Sequence, residues 1–135
     1  MSAAMDGGAQ EAPRAHIKAH NMSDYAMGGI RAALDGLAAR QRITAQNIAN
    51  SDTPNYLAGR VDFESSLRDA LVEGDYSKAG STASTSNAEV NGDGNNVSVD
   101  EENVSLVQTG LQFQLMTEAM NNKFHIIKAS LRRDS

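Results

Sequence analysis

Cysteine and tryptophan are absent from this 135-residue chain, and only three tyrosines, three phenylalanines and two prolines occur. The lack of cysteine excludes disulfides, thiolate catalysis and cysteine-ligated zinc. The scarcity of aromatics leaves a single domain's length of chain with little to bury. Its 40% hydrophobic content is rich in alanine, so help from a partner or from self-assembly is expected. No apolar run approaches the ~20 residues of a membrane span. The first twenty residues carry no apolar core of a secretory signal peptide, so any export takes another route. Formal net charge is −5, and no basic stripe interleaves with aromatics; nucleic acid is not an expected partner. No GxxxxGK[ST], GxGxxG or nucleophile elbow is present, and the carboxylates are scattered. No catalytic residue, cofactor or metal is therefore expected, and the chain reads as a non-enzyme.

What is present is helical periodicity. Residues 1–22 mix Gly, Ala, Pro and charge without a repeat and read as a flexible N-terminal arm. Organised sequence starts just after Met22, a candidate second start site, so residues 23–135 read as one helical domain. Ile30, Leu34, Leu37, Gln41, Thr44 and Ile48 then follow at steps of 4, 3, 4, 3 and 4, a heptad seam predicting a helix over about 25–50. Pro54 stops it, and Asn50 is expected at the left-handed C′ position. Tyr56 is the natural residue to fold back onto the helix. A short helix is expected over Asp62–Val72, capped by Asp62, with Phe63, Leu67 and Leu71 on one face.

Residues 73–97 are rich in Gly, Ser, Thr and Asn, with almost nothing to bury, and read as a long flexible loop. A second long helix is expected over about 100–133. Its N-cap is either Asp100, with Val99 and Val104 as a hydrophobic staple, or Ser98 in a capping box with Glu101. Leu106, Gly110, Phe113, Thr117, Met120, Phe124, Ile127 and Leu131 step 4, 3, 4, 3, 4, 3, 4, the longest register in the chain. A second stripe, Val104, Val107, Leu111 and Leu115, lies beside it. One stripe satisfies one partner helix; two adjacent stripes call for more than one. The expected fold is all-α: two long terminal helices in a coiled-coil-like hairpin, joined by a short helix and the loop.

Two patterns suggest metal and are weak. His16 and His20 stand four apart, but in the arm and without an HExxH context. Asn91, Asp93, Asn95 and Glu102 fall at positions 1, 3, 5 and 12 of an EF-hand-like loop, yet position 6 is Asn96 rather than glycine and no helix precedes it. Solvated histidines and an ordinary polar loop are the better readings. His125 sits beside the second seam and reads as a helix-surface residue.

The stretch LAARQRITAQNIANSDTPNYLAGRVDFESSL resembles the N-terminal signature of flagellar basal-body rod, hook and related axial proteins. Asn47, Ala49, Asn50, Thr53, Pro54 and Tyr56 occupy the signature positions. Asn55 stands where that pattern has glycine, and asparagine is the next-best residue for positive φ. RVDFESSL and NNVSVDEENVSLVQTGLQFQLMTEAMNNKFHIIKASLR narrow the resemblance to proximal-rod members, over residues 25–133. It implies a structural subunit of the basal-body rod that polymerises through its terminal helices and transmits torque. Residues Ile30, Leu34, Leu37, Ile48, Leu106, Phe113, Met120, Phe124, Ile127 and Leu131 would form the assembly seam. The implied partners are other rod subunits, further copies of the chain, the rod adaptor and MS-ring proteins, and the flagellar type III export apparatus. Export without a cleaved signal peptide would place the chain in the rod, with no membrane span of its own. The competing reading is a cytosolic helical adaptor or export chaperone that presents the same seams; a calcium-regulated protein using residues 91–102 ranks third.

Overall fold

The computed structural model describes residues 11–133, with side chains from Asp24 onward. Helix α1 spans Glu11–Ala49, strand β1 Gly59–Asp62, helix α2 Glu64–Glu73, a 3-10 turn Tyr76–Lys78, strand β2 Thr82–Thr85 and helix α3 Val99–Arg133. Helix dominates, but the all-α expectation is corrected by a small antiparallel sheet. β1 pairs with β2 in the register Gly59↔Thr85, Arg60↔Ser84, Val61↔Ala83 and Asp62↔Thr82. Among the described residues no helix is long and apolar enough to cross a membrane.

Among the described residues helix α1 is already formed at Glu11, well before the predicted start near residue 25. The absence of an apolar repeat over 11–22 does not prevent a helix there. Glu, Ala and Lys are good helix formers, and the helix runs through Pro13. Residues 1–10 of the expected arm lie outside the described residues, and so do the side chains of His16 and His20.

At the other end the predicted stop holds: α1 finishes at Ala49. Asn50 is not in the left-handed region, however; the positive φ belongs to Asn55, at +61°. The turn is closed instead by Asn50 itself. Its Nδ2 donates to the Gln46 carbonyl at 2.8 Å, and its carbonyl accepts from the Thr53 N–H at 3.0 Å. Helix α2 starts two residues later than predicted because Asp62 is the last residue of β1. The N-cap position falls to Phe63, not to Asp62 as predicted, though Asp62 still accepts from Ser65 Oγ at 3.1 Å. Ser98, not Asp100, caps α3: its Oγ accepts from the Glu101 N–H, 3.4 Å from the nitrogen, which is one of the two bonds of the capping-box alternative.

Two of the six aromatics, Phe63 and Tyr76, are placed where glycine lets them touch the backbone of α1. Phe63, 6% exposed, lies on Gly36 of α1; a Cβ built on Gly36 would fall 2.1 Å from Phe63 Cγ. Tyr76 covers Gly28 in the same way, with Cδ2 2.7 Å from where a Cβ would be. Tyr25 stacks on Tyr76 at 5.0 Å between centroids, and its hydroxyl donates to the Leu71 carbonyl. The Arg40 guanidinium lies over the Phe63 ring, 4.7 Å from its centroid. Arg40 is itself fixed by a two-pronged bond to Glu64, at 2.6 and 2.8 Å, and by the Val61 carbonyl at 2.8 Å.

Two expectations follow from this cluster. Gly36→Ala should destabilise the fold by a net ~1–3 kcal/mol, because overpacking against a buried ring that also carries Arg40 outweighs the ~1 kcal/mol that alanine gains in a helix. Gly110→Ala is the control: nothing lies within 4 Å of its added Cβ, so the same exchange in α3 should be neutral or stabilising. Urea midpoints of the two variants give opposite signs if this packing is right.

The second concerns acid. The hydrogen bonds from Arg40 hold the Glu64 carboxyl well below its ordinary 4.5, at about 2. A lowered folded-state value stabilises the native chain fully above the unfolded value and is lost as pH falls from about 4.5 towards about 2. Half the Glu64 side chain is exposed, so screening keeps the effect small. Thermal unfolding should show a shallower decline across that acid window in Glu64→Gln than in the parent; identical slopes would remove Glu64 from the account.

Candidate functional site

The signature turn is built around Asn47, in the last turn of α1 and only 1% exposed. Every hydrogen-bonding position of its amide is used. Nδ2 donates to the Gly59 carbonyl at 2.9 Å and to Glu102 Oε2 at 3.1 Å. Oδ1 accepts from the Gly59 N–H at 2.8 Å and from the Tyr56 hydroxyl at 3.2 Å. A side-chain amide offers two donors and one carbonyl with two lone pairs, so this residue is saturated. It ties together the end of α1, the start of β1 and the first turn of α3. Tyr56 does fold back onto the helix, and Asn47 is what it reaches.

Glu102 is the partner from α3. It is 2% exposed, and its other oxygen accepts from Arg60 Nη1 at 2.6 Å. The buried carboxylate is therefore matched by one cation and one amide, the condition for a buried charge to be tolerated. Glu102 would be position 12 of the calcium reading; here it is committed to Arg60 and Asn47.

The stretch expected to be a flexible loop with almost nothing to bury completes the site. Asn95 and Asn96 are 1% and 6% exposed. Asn95 Nδ2 donates to the carbonyls of Asn50 and Thr53, at 2.9 and 2.8 Å, and its Oδ1 accepts from the Val97 N–H at 2.7 Å. Asn96 Oδ1 accepts from the Ala58 N–H at 2.6 Å, while its Nδ2 reaches the Ser86 and Ala88 carbonyls. The Asn55 N–H donates to the Asp93 carbonyl at 2.9 Å. Gly94, at φ +80°, passes so close that a Cβ would lie 2.3 Å from Asn55 Oδ1. The loop expectation failed because it counted apolar residues; these asparagines are buried by serving as backbone surrogates. Asn95, at position 5 of the calcium reading, spends both ends of its amide on backbone. Among the described residues no group of three or more His, Cys, Asp or Glu is placed to hold a metal.

The remaining signature residues are peripheral. Ala49, Thr53 and Pro54 are exposed, and Asn50 is half-buried. Within the predicted seam, Leu37 is 3% exposed, and Ile30, Leu34 and Ile48 are half-buried. In α3 the seam divides. Phe113, Met120 and Ile127 are half-buried, on the same side of the helix as buried Glu102 and Thr109. Leu106, Phe124 and Leu131 are exposed, as is the whole second stripe. The α1–α3 contact is the most extensive between any two elements.

A family model described as "Flagella basal body rod protein" matches residues 30–56, which run from the first seam residue to the tyrosine of the turn. The flagellar basal body rod protein FlgB of Bacillus subtilis (strain 168) is 36% identical over 105 residues, covering 68% of this chain and 81% of its own length. The chain belongs to the flagellar basal body rod protein family. FlgB of Borreliella burgdorferi is 30% identical over 121 residues, covering 73% of this chain and 90% of the relative. FlgB of Escherichia coli (strain K12) is 29% identical over 121 residues, covering 74% and 88%. For this rod-family chain the matched signature has a physical content. It is the segment whose asparagine and tyrosine side chains fasten α1 to β1 and α3.

Sequence reasoning found Asn47, Asn50 and Tyr56 through the motif. It missed Arg60, Asn95, Asn96 and Glu102 as their partners. Glu102 carried one usable signal: it sits one residue past a capping box, on the same face as Phe113 and Met120 by helical spacing.

Proposed function

We propose that this chain is a non-enzymatic, structural subunit of the flagellar basal-body proximal rod. It polymerises through its terminal helices and transmits torque along the axis. The observation that carries this reading is the division of labour in α3. One face is fastened to α1 through Glu102 and Asn47, while the opposite face leaves Val104, Val107, Leu111 and Leu115 uncovered, at 57–63% exposure. A face of that kind in a rod-family chain is suited to meeting neighbouring subunits. We take residues 23–135 as one rod-type domain, in which the two terminal helices pair as a coiled-coil-like hairpin. Its partners are other rod subunits and copies of itself, with the adaptor and MS-ring proteins at the base. It reaches them through the flagellar type III apparatus without a cleaved signal peptide.

Fractionation tests the reading. The chain should co-purify with hook–basal bodies, and a deletion strain should stop swimming until the gene is restored. A chain that remains in the soluble fraction of swimming cells would instead be an adaptor or chaperone, and the rod reading would be lost.

A further inference from the structure

A groove of about 620 Å³ runs along α1 on the side away from α3. Its floor is Ala32, Ala38 and Ala39; Phe63, Leu67 and Tyr76 wall it. Arg31 and Arg42 stand exposed at its rim, with Asp35 between them, and neither arginine is in an ion pair among the described residues. At 3.6 residues per turn these positions lie opposite Leu37 and Thr44, the buried face of α1. The outward stripe of α3 has the complementary character. Val104, Val107, Leu111 and Leu115 lie opposite buried Thr109, and the same face carries Asp100 and Glu118 near its ends. Residues 79–122 contain six carboxylates and no lysine or arginine.

We propose that the groove on α1 of one copy receives the outward α3 stripe of a second copy. The chain's own stripe cannot fill its own groove, since α3 packs on the opposite side of α1 and turns that stripe outward. Shallow alanine floor and aromatic walls suit leucine and valine knobs, and Arg31 and Arg42 suit the acidic flanks of the stripe. Groove and stripe are different surfaces, so the contact is head-to-tail. Each copy added leaves one groove and one stripe free, which builds an open-ended assembly rather than a closed dimer. This rests on the rod reading and deepens it by naming which face meets which.

The natural lack of cysteine makes the test direct. Ala39→Cys and Leu111→Cys chains are expressed together, and purified basal bodies are treated with a short bismaleimide. A covalent dimer should form several-fold more when both variants are present than with either alone. Adding Arg31→Glu and Arg42→Glu to the Ala39→Cys chain should lower the yield by up to about fivefold. Basal bodies that contain both chains without the dimer would overturn the proposal while leaving the rod reading intact. A cross-link from Leu111→Cys to a protein of another mass would assign the stripe to a different subunit, and would also overturn it. Absence of the unmodified chain from basal bodies would sink the rod reading itself, and this contact with it.

Discussion

Asn47→Asp should destabilise the chain by about 3–5 kcal/mol at neutral pH, although the replacement is nearly isosteric. The new side chain keeps the bonds from the Gly59 N–H and the Tyr56 hydroxyl, which need an acceptor. It loses the donor that faced Glu102 Oε2 at 3.1 Å and the Gly59 carbonyl at 2.9 Å. Two carboxylates then share a site that excludes water, with only Arg60 to balance them. The penalty is a large fraction of the ~5–15 kcal/mol total of a small domain. Its pH dependence identifies the cause. The like charge raises the folded-state value of the shared proton above the unfolded one, so the variant binds more protons folded than unfolded. The deficit should therefore shrink as pH falls from 7 towards 5, because a protonated carboxyl can donate as the amide did. Urea unfolding of parent and variant at both pH values measures this. Asn47→Ala should lose stability too, but without the acid recovery. A deficit equal at pH 7 and pH 5 would mean that the Asn47–Glu102 contact is not what holds α1 to α3.

How much of this was legible in the sequence depends on whether a residue works by being apolar. The seam of α1 is read from Ile30, Leu34 and Leu37, and α3 from a register that runs for eight positions. Spacing alone reports such stripes, because burial of a helix face repeats every three or four residues. The end of α1 was legible for a similar reason: Pro54 has one consequence for its neighbours wherever it stands. The centre of the site was not. Glu102, Asn95 and Asn96 are among the most buried side chains, yet their composition reads as solvent-exposed helix start and linker. A polar side chain is buried only when its partners are assembled around it, and those partners include Asn47, Arg60, Asn50, Thr53 and Ala58, 38 to 55 residues away. The sheet was missed because TAST lacks the apolar alternation of a half-buried strand; all four of its residues are exposed. Gly36 and Gly28 carried the opposite lesson. They interrupt a helix at a cost in propensity, and the cost is offset by letting Phe63 and Tyr76 lie on the backbone. A chain with so few aromatics thus obtains two close-packed ones.

The division of α3 into a fastened face and a free one sharpens what the seam should do. Phe124→Asp should abolish rod assembly while leaving the isolated chain's fold nearly unchanged. Phe124 is 49% exposed, so in a single copy a carboxylate there stays hydrated and costs little. Against a neighbouring subunit the same charge would be enclosed without a partner, at several kcal/mol, and the lost ring would remove up to ~3–5 kcal/mol of packing. That sum is enough to eliminate a contact of ordinary affinity. Ser84→Asp is the control. Ser84 is exposed in β2, so an added carboxylate there remains in water. It should change stability by less than ~0.5 kcal/mol and leave swimming intact. Complementation on soft agar, with an immunoblot for chain level and circular dichroism of the purified variants, separates the outcomes. Loss of swimming by Phe124→Asp with normal level and helicity places Phe124 at a contact between subunits. If those cells swim as the parent does, the exposed residues of the α3 seam are not an assembly surface, and the contact that builds the rod has to be sought on the half-buried residues Phe113, Met120 and Ile127 instead.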